Sequence, residues 1–365
     1  MDRATIEVYE RTAASYAERR GVQRPERVLA HAEAVPVGRR RLDLGCGPGH
    51  YLGLLGRPAI AVDATSAMVR LAAAAAPDVP LVQADLAELP FGRHAFAGVW
   101  ASKAHQHLPA PELPAALGEV HRILRVGGRF DLTMFAAAGA RTAEEHTTAA
   151  MGDDLPGRLF TWWEPGHLSA VVEAAGFAVD RVDLVEAHQH GHPRIELTAT
   201  ARRALPDQVG PGMRLLCCGL NPSLHAADAG VGYVTGSNRF WSALLAAGLA
   251  TRARDPRHLL RHDRIGLTDL VKRPTARADE LTMAEYREGV DRVSALCAWL
   301  QPRAVAVVGL AGWRAAVDRR AVVGWQSQAL GGAPVYVLPS TSGLNARVSL
   351  GELAAHLRRA TTGPG

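Results

Sequence analysis

The sequence is poor in cysteine, and its few cysteines are not arranged to hold a metal. The four, Cys46, Cys217, Cys218 and Cys297, form no CxxC pair and have no ligand spacing with histidine. We therefore expect buried thiols and no metal site. The lack of a four-cysteine set also disfavours an iron–sulfur cluster.

Long apolar runs are missing as well. No stretch reaches the roughly 20 apolar residues that a membrane helix needs. There is no basic-then-apolar N-terminal signal and no lipidation motif. We expect a cytoplasmic protein without a membrane partner.

The sequence does have enough apolar material for sizeable cores. Of its 365 residues, 48% are hydrophobic, and this length favours two domains. The charge is uneven, since residues 204–365 carry 19 Lys+Arg and 12 Asp+Glu, whereas residues 1–203 carry 22 and 24. A basic excess of this size suits either a solvated surface or an acidic partner, so motifs must decide between them.

Residues 1–203 predict an α/β domain with a parallel sheet, because short apolar runs alternate with helical spacing. The predicted strands span 41–44, 59–62, 80–83, 96–101 and 129–134, the helices span 66–76, 111–124 and 167–175, and a terminal hairpin joins 177–186 to 194–200.

Residues 204–212 are rich in breakers and predict a linker. The α/β pattern then restarts and predicts a smaller second domain over residues 213–365. Its expected strands are 213–219, 303–309 and 335–338, and its expected helices are 237–248, 284–300 and 350–359.

A glycine-rich turn, Asp43-Leu44-Gly45-Cys46-Gly47-Pro48-Gly49, follows the first predicted strand. Glycines let a backbone approach a ligand at the start of a helix. Asp63 ends the next strand, where a carboxylate can accept both hydroxyls of a ribose. Asp85, before Leu86, ends the third strand and can accept an adenine amino group.

This series resembles the class I S-adenosylmethionine-dependent methyltransferases over residues 1–203. Tyr9 and Tyr16 look like the family's aromatic helix over the cofactor, and 119–128 is similar to its late signature, with Val126 where proline is usual. The resemblance implies a seven-stranded Rossmann-like sheet that binds S-adenosylmethionine. The implied cofactor residues are Tyr16, Asp43, Gly45, Gly47, Gly49, Asp63, Asp85, Leu86 and Ser102.

Two alternatives concern this first domain. A dinucleotide-binding domain needs a strict GxGxxG, and Gly45, Gly47 and Gly49 depart from it. His105 and His107 follow the fourth strand, where either could act as a base or simply face solvent. No Pro-Pro-Tyr or Pro-Cys loop of DNA base methylases follows that strand, so a small-molecule acceptor is expected.

Two separated loops dominate the second domain. Gly219-Leu220-Asn221-Pro222-Ser223 follows an apolar strand, which puts the Asn221 carboxamide at the carboxyl edge of a sheet. Alone, an asparagine in this position is more often a helix cap than a catalytic residue. The second loop lies at 339–350. Between the two loops come, in order, Tyr233, Ser237-Asn238-Arg239-Phe240-Trp241 and 266–275.

This order resembles the mismatch-specific uracil/thymine branch of the uracil-DNA glycosylase superfamily, over roughly residues 211–359. The resemblance implies a parallel α/β/α sandwich that excises uracil, and thymine as a further candidate, from G·U and G·T mismatches in double-stranded DNA. The resemblance also implies that this domain needs no cofactor and leaves an abasic site, and that the protein associates with the nucleoid when it is on DNA.

The same resemblance implies the site. Asn221 orients the attacking water, and Tyr233, Asn238 and Ser342 contact the flipped base. Gly343, Leu344 and Arg347 form the wedge that fills the duplex. Asn221 stands where other branches place aspartate, so we expect slow turnover without a strong base. Ser340-Thr341-Ser342 is more similar to the serine-rich loop of the thymine glycosylases than to the Asn-Pro-Ser common in the bacterial members. The alternative is a small-molecule methyltransferase whose second domain binds DNA without excision.

Overall fold

A computed structural model of the chain describes residues 1–137, 142–186, 192–343, 345 and 347–364. The chain divides into two compact units, Met1–Arg202 and Arg203–Gly365. Each unit has its own sheet and its own buried clusters of apolar side chains.

The first unit is built on a mixed sheet. Its strands are β1 (Arg41–Leu44), β2 (Ala59–Asp63), β3 (Leu81–Gln83), β4 (Phe96–Ser102), β5 (Leu124–Ala136), β6 (Thr142–His146), β7 (Leu159–Trp163), β8 (Phe177–Val185) and β9 (Arg194–Ala201). The order is β3-β2-β1-β4-β5-β7-β6, and β9 pairs with both β5 and β8.

The helices of this unit are α1 (Arg3–Arg19), α2 (Pro25–Ala34), α3 (Ser66–Ala75), α4 (Leu113–Ile123) and α5 (Pro165–Ala174). Asp2 caps α1 by accepting from the Thr5 N–H, and Glu164 caps α5 in the same way through Gly166 and His167. Strand β1 is buried along its whole length, as expected of a central parallel strand.

The sheet is larger than the seven strands that we expected. Seven strands form the series β3-β2-β1-β4-β5-β9-β8, and the described residues add an antiparallel pair, β6 and β7. Strand β7 joins β5 through Phe135 and Ala136, beyond the stretch where β5 is paired with β4. The expected turn at 188–193 lies largely outside the described residues, but β8 and β9 are antiparallel as predicted.

The second unit has a smaller sheet of β10 (Leu215–Gly219), β11 (Ile265–Asp269), β12 (Val305–Val308), β13 (Gly324–Leu330) and β14 (Ala333–Leu338). The order is β11-β10-β12-β14-β13, parallel except for the edge strand β13. Successive side chains of β10 enter different cores, because strand residues alternate between faces.

The helices of this unit are α6 (Leu224–Ala229), α7 (Phe240–Ala246), α8 (Pro256–Arg261), α9 (Met283–Leu300), α10 (Leu310–Ala316) and α11 (Leu350–Thr361). Helices α7 and α11 supply side chains to one core, and α9 and α10 supply the other. Thr282 and Ser349 begin α9 and α11 with reciprocal capping boxes. The result is three layers, helix, sheet and helix.

Residues 204–212, for which we expected a linker, are built into this second unit. Gln208 pairs with Leu267 through two backbone hydrogen bonds of 2.9 Å. The buried Asp207 accepts from Lys272, Arg292 and Thr268. The segment is rich in helix and strand breakers, but it is held to the second unit by the ion pairs of Asp207 and the backbone pairing of Gln208. Composition alone does not predict these contacts.

No helix in the described part of either unit is long and apolar enough to cross a membrane.

Candidate functional sites

A cavity of about 310 Å³ opens at the carboxyl edge of the second sheet. We call it the C-terminal cavity. It lies where β10 and β11 end side by side, with Gly219 in register with Asp269. Leu270 and Val271 donate backbone hydrogen bonds back to Gly219 and Leu220, so the two chain segments stay together beyond the strands. Parallel strands put their carboxyl ends at one edge, where ligands bind.

Asn221 lines this cavity in a fixed orientation. Its Nδ2 group donates to Thr275 Oγ1 at 2.7 Å, to the Arg273 carbonyl at 3.1 Å and to the Pro222 carbonyl at 3.2 Å. Because both amide hydrogens are used by the protein, the Oδ1 atom is the one left to accept a hydrogen bond from a ligand or water. Ser223, and not Asn221, is the residue that caps α6. The helix-cap interpretation of Asn221 is therefore wrong.

Tyr233 forms one wall of the cavity. One face of its ring stacks on Phe240, with centroids 3.9 Å apart and planes 23° apart. Trp241 continues this aromatic cluster and donates its indole N–H to the Gly232 carbonyl. A left-handed backbone at Tyr233, φ +57°, turns the ring onto Phe240. The second ring face is thereby available to a planar ligand.

Asp269 is the site residue that sequence reasoning missed. It is 8% exposed and lines the cavity. A Cβ at Gly219 would collide with Asp269 Oδ1 and lie 2.8 Å from the Tyr233 hydroxyl, so a glycine is needed there. Burial raises the pKa of the Asp269 carboxyl to about 6, while Lys272 and Arg292 oppose that rise. The sequence feature that could have identified Asp269 is the short apolar run Ile265-Gly266-Leu267, because it forms the strand that Asp269 ends.

The later loop reaches the same cavity. Asn238 and Ser342 both line it, and Asn238 Oδ1 accepts from the Phe240 N–H. Arg239 points away from the cavity lining and holds the loop, donating to the carbonyls of Val348 and Asn345 at 2.5 and 2.6 Å. The expected base-contact residues are thus together, and an arginine fixes the segment that follows them.

The two expected wedge residues that the structure describes, Gly343 and Arg347, do not line the cavity. Gly343 packs on Ser237, whose Cβ would be 2.6 Å from a Cβ at position 343. Arg347 is exposed. Leu344 lies outside the described residues.

A second cavity, of about 580 Å³, opens in the first unit. We call it the N-terminal cavity. Gly45 and Cys46 donate backbone hydrogen bonds to the Val62 carbonyl, which fixes the glycine-rich turn against β2. Gly45 has φ +76°, and a Cβ there would collide with Ala104, so the turn requires glycine. Cys46 also lines the cavity, and burial raises the pKa of its thiol.

Asp63 joins this turn to the cavity. Its Oδ2 accepts from the Gly47 N–H at 2.9 Å, and its Oδ1 accepts from the N–H and hydroxyl of Thr65. A carboxylate offers about four acceptor positions, so this arrangement leaves one for a ligand hydroxyl. Two ribose hydroxyls, as we expected, would require Thr65 to turn away.

The other expected cofactor residues divide into two groups. Tyr16, Leu86 and Ser102 line the cavity with Gly45, Gly47 and Asp63. Asp43, Gly49 and Asp85 do not. Asp43 is 1% exposed, and burial raises its carboxyl pKa to about 8. Gly49 packs against α3, where a Cβ at position 49 would lie 3.1 Å from the Ala72 Cα. Asp85 Oδ2 accepts a hydrogen bond from the α-amino group of Met1 at 2.6 Å.

The structure separates the two histidines that we considered as bases. His105 is fully buried away from the cavity lining, and its ring nitrogens are without a partner in the described residues. His107 lines the cavity, but Nδ1 bonds the Leu159 carbonyl at 2.8 Å and Nε2 bonds the Tyr9 hydroxyl at 3.0 Å. Both nitrogens are engaged, and burial lowers its pKa to about 4. Neither histidine faces solvent.

Comparison with known families finds a match in each of the two units. Residues 42–128 match the family described as a methyltransferase domain. Residues 206–360 match the uracil DNA glycosylase superfamily. The chain joins a methyltransferase domain to a uracil-DNA glycosylase superfamily domain. The second match begins at Pro206, inside the segment for which we expected a linker.

Several of the solved structures to which the chain is similar, all at low sequence identity, are methyltransferases. The CcbJ methyltransferase from Streptomyces caelestis is 18% identical, with 55% of this chain and 100% of that chain covered and a TM-score of 0.44. The 1,6-didemethyltoxoflavin-N1-methyltransferase from Burkholderia thailandensis is 24% identical, with coverages of 54% and 88% and a TM-score of 0.41. These distant similarities do not identify the reaction of this chain.

Within the glycosylase superfamily domain, the C-terminal cavity is the candidate active site. Within the methyltransferase domain, the N-terminal cavity is the candidate cofactor and acceptor site. The residues that line it fit a nucleoside cofactor, because a turn without side chains at Gly45 and Gly47, the Asp63 carboxylate and the Tyr16 ring meet there.

Proposed function

We propose that the second domain is a DNA glycosylase that removes uracil, and thymine as a second substrate, from G·U and G·T mismatches. The observation that carries this proposal is the C-terminal cavity, in which the fixed Asn221 carboxamide, the Asp269 carboxyl and the open face of Tyr233 meet. The basic excess of residues 204–365 suits a polyanionic partner.

Recognition of the base begins with its removal from the duplex. Flipping a base costs a few kcal/mol and least at a mismatch, which favours weak pairs. The cavity is at the lower end of the range for small ligands, about 300–1,000 Å³, which suits a single base. The flipped base would stack on Tyr233, opposite Phe240. Leu344, in the wedge segment, would fill the gap in the stack.

Hydrolysis then needs a positioned water and a stabilised leaving group. Asn221 Oδ1 would accept a hydrogen bond from the attacking water, and ionised Asp269 would accept its proton. Backbone N–H groups at the strand end would stabilise the departing uracil anion more than the neutral base. On this proposal Asp269 would supply the carboxylate that Asn221 does not, in place of the missing base that we expected from the sequence.

The product of this reaction would be an abasic site. A glycosylase that also cleaves the strand needs a free amine as nucleophile. Lys272, which follows β11, donates to the Leu205 carbonyl and to Asp207, so its amine is occupied.

Strand breakage by hot alkali after incubation with end-labelled G·U or G·T duplexes tests the proposal. Wild-type protein is expected to yield breaks at the mismatch, and Asn221→Ala is expected to lower the single-turnover rate by about 10²-fold, because the water loses its acceptor. Mismatch binding without breakage would overturn the proposal and favour the alternative, a methyltransferase with a DNA-binding second domain that does not excise.

We propose that the first domain transfers a methyl group from S-adenosylmethionine, a cofactor that would supply an electrophilic methyl group when bound. The backbone of Gly45 and Gly47, which carries no side chains, would let the cofactor lie close to the turn, and Asp63 Oδ2 would accept a ribose hydroxyl. Tyr16 would cover it from α1. Such transfer needs little more than a positioned acceptor, and the acceptor is expected to be a small molecule.

Calorimetric titration with S-adenosylhomocysteine tests this second proposal. Wild-type protein should bind, and Asp63→Asn should bind at least about tenfold more weakly, since a charge-assisted hydrogen bond is lost. Absence of binding by the wild type would contradict it. Binding without transfer to any acceptor would instead favour a cofactor-sensing regulator.

A further inference from the structure

The lining of the N-terminal cavity is rich in cationic side chains. Five cationic side chains line the cavity: Arg20, Arg24, Lys103, Arg158 and Arg194. The four arginines each have a carboxylate within 3.4 Å, from Asp154, Glu196 or Asp153. Their charges are therefore largely compensated inside the protein.

Lys103 is the exception. It follows β4 at the edge of the cavity, and its ammonium group donates to the neutral Gln23 Oε1 at 2.6 Å. No carboxylate of the described residues lies within ion-pair distance of it. Burial, together with Arg194 and Arg20, lowers its pKa to about 8. Glu196 acts on it from a longer distance but is ion-paired with Arg24 and Arg194. The half-buried ammonium group therefore has no ion pair of its own, which costs free energy unless a ligand supplies one.

The chain places this amine in a strained backbone conformation. Lys103 has φ +60°, a region that non-glycine residues seldom adopt, and its N–H donates to the Thr133 carbonyl at 3.0 Å. Such strain is held by surrounding structure and concentrates at functional sites. The sequence contains only two lysines and 39 arginines, so a lysine is rare among the cationic residues of this chain.

An aromatic wall stands beside Lys103. Phe135 lies two residues beyond Thr133 on β5, and it is in register with Arg194 of β9. Its ring contacts Phe160 and His192, with centroids 4.9 and 5.0 Å apart. All three rings line the cavity. A planar apolar ligand could pack on this wall while a substituent reaches the ammonium group.

We propose that the methyl acceptor of the first domain is a small aromatic compound with an anionic group, and that Lys103 binds that group. This inference rests on the proposed methyltransferase function and assigns its substrate class. The anion would pair with the ammonium group, and the ring would lie against Phe135 and Phe160. Lys103 binds the acceptor here and takes no proton from it.

Matched ligand pairs test the inference on the full-length protein saturated with S-adenosylhomocysteine. The probes are 2-, 3- and 4-hydroxybenzoate and 2-naphthoate, each with its neutral carboxamide twin, and saturation-transfer NMR gives the dissociation constants. At least one acid should bind about tenfold more tightly than its amide, the difference expected for a charge-assisted hydrogen bond.

The variants Lys103→Met and Lys103→Arg separate charge from shape. Lys103→Met should remove the preference for the acid and leave binding of the amide and of S-adenosylhomocysteine unchanged, whereas Lys103→Arg should retain part of the preference. Equal binding of acids and amides by wild type, or a preference that survives Lys103→Met, would overturn the inference. Failure to bind S-adenosylhomocysteine would instead refute the methyltransferase proposal.

Discussion

Asp269 is the residue whose ionisation should control base excision. Its carboxyl is protonated below a pKa of about 6 and ionised above it. We therefore expect the single-turnover rate on G·U duplexes to rise with pH through about 6 and then level off. Asp269→Asn should give a rate lower by about 10²-fold that is flat over this range. The exposed Asp279, changed to Asn, is the matched control, and a wild-type rate independent of pH between 5 and 8 would exclude Asp269 as the base.

The same carboxyl should reduce the stability of the second domain at neutral pH. Its folded pKa is raised from 3.8 to about 6, so the folded state binds the proton more tightly than the unfolded state. The resulting loss of stability is complete above pH 6 and disappears as the pH falls toward 4. Asp269→Asn should therefore raise the midpoint of thermal unfolding at pH 7 and leave it unchanged near pH 4. A lower midpoint at pH 7 would contradict this account.

Gly45 is the residue on which the glycine-rich turn depends most. Gly45→Ala adds a Cβ that collides with Ala104 and strains a positive φ. Binding of S-adenosylhomocysteine, measured by calorimetry, should weaken at least about tenfold. Gly53→Ala is the control, because nothing lies within 4 Å of the added atom and φ is not positive there. Equal affinities for the two variants would show that the turn tolerates a side chain.

At the scale of elements, Arg239 links the start of α7 to the segment before α11. Its guanidinium holds the carbonyls of Asn345 and Val348, and its N–H donates to the Thr341 carbonyl. Arg239→Gln should release this segment, so that Asn345 and Val348 lose the contacts that hold them.

We expect Arg239→Gln to weaken binding of a G·U duplex and to slow excision, by about tenfold each, in gel-shift and single-turnover assays. Arg320→Gln, an exposed arginine of the same domain, should match the wild type in both. A loss of binding with an unchanged maximal rate would mean that Arg239 touches DNA rather than orders the loop.

The elements also show what the sequence could predict. Strand β1 was predicted with its observed bounds, because four buried residues stand between an arginine pair and a glycine turn. Strands β6, β7, β11 and β13 were missed. The exposed polar residues of β6 and β13 carry no apolar pattern, whereas β7 and β11 are short apolar runs whose pattern does not separate a strand from a buried helix segment. Asp269 was quoted within a motif but given no role. Its closeness to Asn221 follows from the β10–β11 pairing, which joins residues about 50 apart in sequence.

At the scale of the whole molecule, two units with separate cores should unfold separately. Calorimetry of the full chain is expected to show two transitions. S-adenosylhomocysteine at 100 times its dissociation constant should stabilise the first domain by about 2.7 kcal/mol and move only one transition. A G·U duplex with a non-hydrolysable sugar should move only the other. A single transition that shifts with either ligand would show that the domains are thermodynamically coupled.

Cys46 gives the first domain a built-in chemical reporter. Cys46 lies within the glycine-rich turn and is 4% exposed, and the other three cysteines all belong to the second unit. Alkylation requires the thiolate and access, so the labelling rate of the peptide that contains Cys46, followed by mass spectrometry, measures how often this turn opens. A nucleoside that occupies the cavity would slow that rate, which allows a search for cofactors and acceptors before any methylated product is known.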